Sequence, residues 1–430
     1  MTTGVVCAVR GPAETVVVRE LAAAGHRFEV TRRCADLAEL LAAGAAGLGA
    51  LAVVSADLPG LDREAVAHLR GSGLRVVVVP GAPGDRLGHL GADGVLGDAH
   101  DVVAALEAAL AAPADVAPDP AAPPPAARVA ARLDGPADPV SAPGAPAPPP
   151  GRLVAVWGPT GAPGRTTLAV GLAAEIAAAR PGAAGDAAAR DTLLVDADTY
   201  GGTVAQVLGL LDEAPGVAAA ARAATTGRLD VAVLATLTPV AAPGLRVLTG
   251  ISRAERWPEV PGPSLDLVWA AARDLAAWTV VDTGFCLEDD EMLSYDTRAP
   301  RRNAATLSAL AEADAVVVVG TGDPVGLQRL VRALGDLTEA GVGAERRVVV
   351  VNRLRASASG PRPGDAVRAA LHRYAGVDHA HLVPEDRPAC DGALLAGRTL
   401  TEHAPGSPAR RAVQALARHV VGALTPVPVG

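Results

Sequence analysis

"VAVWGPTGAPGRTTLAV", Val154 to Val170, is the stretch on which the fold turns. An apolar run enters a glycine-rich turn, and the turn enters a segment opened by two threonines. Glycines at 158, 161 and 164 let the backbone approach a phosphate and aim N–H groups at it, beside the positive end of a following helix. Leu168, Leu172 and Ile176 recur at steps of four, so the helix carries an apolar stripe to lay on a sheet. Thr166 takes the position whose hydroxyl ligates Mg2+ in such loops. Where these loops carry Lys, the chain has Arg165.

Composition bears on that substitution. The 430 residues include no lysine, and Ala, Gly and Pro are abundant, which gives Arg at a lysine position a purely compositional reason. Half the residues are hydrophobic but only 2% are aromatic, so the cores must be built from Ala, Val and Leu. A net charge of −9 disfavours a protein that holds DNA by neutralising phosphates. Cys7, Cys34, Cys286 and Cys390 show no paired spacing, which argues against a zinc site or disulfide framework and fits a reducing cytoplasm. No apolar run approaches the roughly 18–20 residues of a membrane span, so a soluble protein is expected.

The segment 112–150 is nearly all Pro, Ala, Gly and Asp and reads as an extended tether. It separates an N-terminal unit, 1–111, from a C-terminal unit, 151–430. Both alternate β-like runs with helical patterns, which predicts α/β domains with parallel sheets. In the first unit "GVVCAV", "ALAVVS" and "RVVVVP" read as strands. In the second, Leu153–Trp157, Leu193–Val195, Leu245–Leu248, Thr279–Val281, Ala315–Val319, Val348–Val351 and His381–Val383 do so. Several are apolar at consecutive positions, as strands covered on both faces are, so a doubly wound sheet follows, with its ligand at the carboxyl ends.

Those ends carry chemistry in a fixed order. "LLVDADTYGG" places Asp196 and Asp198 after the second strand, and "TVVDTG" places Asp282 where a carboxylate can hold a Mg2+ water shell. "VVVNRLR" supplies Asn352 and Arg353, and "HLVPEDRP" ends a late strand at Pro384. Each Asp alone could be a helix cap; the series together points to nucleotide binding. Arg301 and Arg302, beyond Asp282, could swing in to supply the missing charge, but read more simply as a solvated surface pair. The C-terminal "SPARRAVQALARHVVGALTPVPVG" carries Arg410, Arg411 and Arg418 beside Val413, Leu416, Val420 and Leu424. Without aromatics and with few charges, it reads as a last helix packed on the domain rather than a membrane-surface helix.

This order of motifs resembles the MinD/ParA family of deviant Walker A P-loop ATPases across nearly all of 151–425. The first unit resembles a degenerate CheY-like receiver, a flavodoxin-like fold, over most of 1–110. Its phosphoacceptor position is Ser55, its acidic pair is replaced by Arg10 and Gly11, and its fourth strand ends in Pro80. The combination looks like the CpaE/TadZ group associated with Flp (Tad) pilus assembly and the related septum-site-determining proteins. The resemblance implies a nucleotide-dependent homodimer that positions pilus or division machinery, in the cytoplasm or peripherally at a membrane face, pole or septum.

Carried over residue by residue, it implies a phosphate cradle of Gly158, Thr160, Gly161, Ala162, Pro163, Gly164, Arg165, Thr166 and Thr167. Thr166, Asp196 and Asp282 would support Mg2+, Asp198 would orient the attacking water with Arg165 on the phosphates, and Asn352, Arg353 and Pro384 would meet the adenine of ATP. The family's signature lysine falls at Thr160, which leaves hydrolysis open between a slow ATPase and an ATP-locked scaffold. A DNA-partitioning ATPase is the third alternative, disfavoured by charge.

Overall fold

The computed structural model describes residues 2–25, 27–80, 87, 90–96, 101–111, 149–161, 163–179, 191–210, 215–288 and 301–425. Apart from 149 and 150, the expected tether lies outside the described residues. The chain divides into two compact units with the main break between 147 and 148.

The N-terminal unit contains β1 (Thr3–Ala8), α1 (Pro12–Ala23), β2 (Phe28–Arg33), α2 (Leu37–Ala45), β3 (Leu51–Ser55), α3 (Arg63–Gly71), β4 (Arg75–Val79), β5 (Gly94–Val95) and α4 (Val102–Ala111). The strands pair in parallel in the order β2-β1-β3-β4-β5, the order of flavodoxin-like doubly wound sheets. Alternation along β1 explains the two-sided core: Val5 and Cys7 join one apolar cluster, Val6 and Ala8 the other. Two strands, β2 and β5, match none of the quoted apolar runs and are implied only by the resemblance to a receiver. β2 is an edge strand, "FEVTRR", with one fully buried residue, so its apolar signal is weak. Ser55 is buried at the end of β3, where its Oγ accepts the Arg10 N–H at 2.8 Å. The Arg10 guanidinium donates to the Asp57 carbonyl at 3.1 Å.

The C-terminal unit is built on β6 (Arg152–Trp157), β7 (Thr192–Ala197), β8 (Val240–Ala242), β9 (Leu245–Leu248), β10 (Trp278–Thr283), β11 (Ala315–Thr321), β12 (Arg347–Leu354) and β13 (His381–Pro384). They pair in the order β13-β12-β11-β6-β10-β7-β9-β8, all parallel except β8 on β9. All seven expected strands are present; the short antiparallel β8 is additional. Five helices position the site: α5 (Arg165–Ala178), α6 (Gly262–Leu275), α7 (Pro324–Glu339), α8 (Arg387–Ala396) and α9 (Pro408–Leu424). Along β6, Leu153, Ala155 and Trp157 face α6 and α7 through Leu265, Val268, Trp269, Leu330 and Leu334. Val154 and Val156 face the opposite cluster, with Leu168, Leu172 and Ile176 of α5 and Val413, Leu416 and Val420 of α9. The consecutive apolar residues therefore fill two cores at once.

As the sequence suggested, α9 packs on the domain. Arg411 and Arg418 are exposed, but Arg410 turns inward onto Glu175 of α5, with Nε to Oε1 at 2.6 Å and Nη2 to Oε2 at 3.0 Å. Glu175 is 2% exposed and also accepts the Thr401 hydroxyl at 2.6 Å. Among the described residues, no helix is long and apolar enough to cross a membrane.

At the start of β13, His381 lies between His379 and His419 of α9, with ring centroids 4.9 and 4.7 Å away. Burial first, then the charges of His419 and His379, lowers the His381 pKa from 6.5 to about 4. The folded chain thus refuses a proton that the unfolded chain accepts, and stability is lost as pH falls from about 6.5 to about 4. His381→Gln is expected to flatten that window in urea unfolding at pH 7, 5.5 and 4.5. Parallel midpoint profiles for the two proteins would contradict it.

Candidate nucleotide site

Parallel pairing brings the carboxyl ends of β6, β7, β10, β11, β12 and β13 to one edge. From β6 the chain turns at Gly158, buried so closely that a Cβ there would lie 2.2 Å from the Val319 carbonyl of β11. It enters α5 through Gly164, the N-cap, in the left-handed region at φ 96, ψ 31. A Cβ at Gly164 would fall 2.4 Å from Asn352 Nδ2. Only glycine relieves both the backbone strain and that contact. Asn352, at the end of β12, donates Nδ2 to the Pro163 carbonyl at 2.8 Å. Expected to read adenine, it also ties the crest of the loop to a strand two places away. Ala162 lies outside the described residues.

The carboxylates divide by environment. Asp282 of β10 pairs across the sheet with Val156 on one side and Asp196 on the other. Asp196 was expected to support Mg2+. Its Oδ1 accepts the Asp198 N–H at 3.2 Å and its Oδ2 the Val204 N–H at 3.0 Å. A Cβ at Gly202 or Gly250 would lie 2.5 or 2.6 Å from this carboxyl, so Asp196 is the enclosed anchor of the turn that follows β7. Its pKa is raised to about 7, chiefly by burial; the Asp198 charge adds to the shift and the two amides oppose it. Asp282 is fully buried, and neither of its oxygens has a hydrogen-bond partner among the described residues. Burial and the neighbouring Asp196 push its pKa well above the usual carboxylate range, offset only in part by Thr166 and Arg165.

An unpartnered buried carboxylate is costly unless something else supplies its partner. The orphaned Asp282 oxygens, with the half-buried Thr166 beside them at the loop, form the hard oxygen donor set that suits Mg2+. The two residues fit the ion.

Arg165 does not lie free over the loop. Its Nη1 donates to the carbonyls of Gly158 and Pro159, each at 3.1 Å, and its Nη2 faces Asp198 Oδ2 at 3.8 Å. The other Asp198 oxygen accepts the N–H groups of Tyr200 at 2.9 Å and Gly201 at 3.3 Å. Beyond it, the Arg302 guanidinium stacks 4.0 Å from the Tyr200 ring centroid, and the Tyr200 hydroxyl donates to Asn303 at 2.8 Å. Arg302 is therefore a packed residue, which corrects its reading as solvated. This stacking fastens the Asp198 turn to the 301–303 segment.

Two cavities flank the loop. The larger, about 310 Å³, is lined by Gly164, Thr167, Asn352, Arg353 and Pro384, all expected nucleotide contacts, and by residues of α8 and α9 for which no nucleotide contact was expected. Its size is at the lower end for a small-molecule pocket. Arg353 borders it with φ 54, the single positive φ outside glycine among the described residues. The smaller cleft, about 170 Å³, adjoins the larger cavity, sharing Arg353, Glu385 and Arg387, and reaches Thr160 and Gly161. Arg329 of α7 lines it, a residue absent from the sequence reading.

No protein-family model and no curated protein matches the chain. Solved structures do. A ParA family ATPase from Chlorobium tepidum is 19% identical over 62% of this chain and 99% of its own, with a TM-score of 0.51. The cell division ATPase MinD of Pyrococcus furiosus is 20% identical over 63% and 99%, with a TM-score of 0.48. The septum site-determining protein MinD of Pyrococcus horikoshii, complexed with Mg-ADP, is 18% identical over 63% and 95%, with a TM-score of 0.47. The first likeness is the one that carries weight, and at that identity it speaks for fold alone. With the loop on β6 and the parallel sheet around it, the C-terminal unit shares the fold of that ParA family ATPase.

Proposed function

We propose that the C-terminal unit binds ATP with Mg2+ and acts as a nucleotide-dependent homodimer that positions other machinery in the cell. The observation that carries this reading is the conjunction at one sheet edge of a left-handed Gly164 cap and the unpartnered Asp282 carboxylate. The backbone N–H groups at 164–167 and the helix end would hold the inner phosphates. Thr166 and Asp282 would hold Mg2+, which when bound neutralises phosphate charge. The base would enter the cavity between Thr167 and Pro384. Asp196 keeps the Asp198 turn in place.

Hydrolysis on this reading is slow, because Arg165 occupies the loop carbonyls and faces the carboxylate meant to orient water. Arg at such a site keeps the charge but not the compact head of Lys. The same contact favours the second reading, a scaffold locked by ATP it does not cleave. A DNA-partitioning role is disfavoured by the net charge of −9. Of the family's groups, CpaE/TadZ of Flp (Tad) pilus assembly and the septum-site proteins fit best, with division or pilus proteins as partners and a peripheral place at the membrane. Supporting this is the first unit, which we read as a receiver-shaped docking domain without phosphotransfer. It has the 2-1-3-4-5 strand order, and Ser55 bonded to Arg10 takes the place of an acidic cluster.

The test is sizing chromatography with intact-nucleotide analysis. ATP, and not ADP, is expected to shift the native chain to a dimer, with most ATP uncleaved. Arg165→Lys should raise turnover about tenfold or more, since small displacements of reacting groups cost on the order of 10²-fold. A monomer under all nucleotides would contradict the dimer, and unchanged turnover in Arg165→Lys would contradict the assigned cause.

A further inference from the structure

We propose that Arg329 contacts the terminal phosphate of a nucleoside triphosphate and so lets the loop distinguish triphosphate from diphosphate. This rests on reading the loop as an ATP site and adds to it a residue outside the loop.

Topology brings Arg329 there. β11 is hydrogen-bonded to β6, so the helix after β11, α7, starts beside the loop after β6. The Arg329 side chain is exposed and extends over the front of the loop. Its Nη1 is 3.5 Å from the Thr160 carbonyl, at the limit of a hydrogen bond. The guanidinium lies so close to Gly161 that a Cβ at that position would fall 2.1 Å from Nη1.

The charges around the cleft leave Arg329 available. Arg355 and Arg387 share Glu385, at 3.5 and 3.2 Å. Asp323 caps α7, accepting the Thr321 hydroxyl at 2.6 Å and the Gly326 N–H at 3.0 Å, and these bonds lower its pKa. Among the described residues Arg329 pairs with no carboxylate. Arg165, the loop's own cation, is turned onto loop carbonyls and toward Asp198.

Position supplies the selectivity. The larger cavity borders Gly164 and Thr167, and the smaller cleft borders Thr160 and Gly161. A nucleoside in the larger cavity sends its phosphates along the loop crest from Gly164 toward Gly161. The chain's far end then meets the guanidinium, which can donate two N–H groups to phosphate oxygens. A diphosphate stops short of it.

The experiment is equilibrium titration of the full chain with fluorescent ATP and ADP in Mg2+, for native protein, Arg329→Ala, Arg329→Lys and, as control on the same helix, Arg332→Ala. Arg329→Ala is expected to weaken ATP about tenfold or more and ADP less than about twofold, as loss of a charge-assisted hydrogen bond predicts. Lys should restore most of the difference, and Arg332→Ala should match native. Equal losses for ATP and ADP, or none, would overturn the role of Arg329 and leave the ATP reading standing. Native protein that binds neither nucleotide would overturn both.

Discussion

Arg410→Ala is expected to destabilise the C-terminal unit by about 3–5 kcal/mol, the cost of leaving one member of a buried ion pair uncompensated. The stranded group is Glu175, 2% exposed, which would keep only the Thr401 hydroxyl. At this domain size the loss corresponds to a fall in Tm on the order of 10 °C. Glu175→Ala should fall similarly. The pair joins α5, the helix that opens at the loop, to α9, the last helix, so the loss should spread to both ends of the unit. Replacing both residues with apolar ones, Glu175→Leu with Arg410→Met, should recover most of the stability, because the desolvation cost disappears with the charges. Thermal unfolding of the three variants decides the matter. If Arg410→Ala unfolds within about 1 kcal/mol of native, the pair is worth no more than a surface contact.

Gly164→Ala is expected to abolish useful nucleotide affinity while leaving the sheet intact. The backbone at φ 96 costs a non-glycine residue roughly 1–2 kcal/mol. The added Cβ also meets Asn352 Nδ2 at 2.4 Å, so the bond from Asn352 to the Pro163 carbonyl must give way. Both effects displace N–H groups that must converge on phosphate, and each 1.4 kcal/mol is a tenfold loss. The loss should exceed tenfold in titration, with far-ultraviolet circular dichroism unchanged. Asn352→Ala should show a smaller loss of the same kind, because it removes the tie and keeps the glycine.

Consecutive valines and leucines made the second sheet legible. β6, β10, β11 and β12 are covered on both faces and have to read as unbroken apolar runs. β2 was illegible for the opposite reason, since an edge strand such as "FEVTRR" buries too little to show a period. β8, three residues long, is shorter than any periodicity. The positions of Gly164, Thr166 and Asp282 followed from the motif order, because parallel strands must deliver their ends to one edge.

Their division of labour did not follow. Whether an Asp at a strand end accepts a backbone amide depends on the turn after it. At Asp196 the turn returns Val204 to the carboxyl, whereas at Asp282 no amide arrives. The place of Asn352 depends on a contact across 189 residues. Arg329 sits on the exposed face of a helix and has no motif of its own. Its signal was topological: the strand before it had to be known as the neighbour of β6.

The central claim is that the loop from Gly158 to Thr167 holds the phosphates of ATP. Calorimetric titration of ATP with Mg2+ into the native chain, beside Gly164→Ala, tests it most directly. One site per chain for native protein, lost in the variant, is the predicted result. No heat from the native chain, or equal affinity in the two proteins, would contradict it.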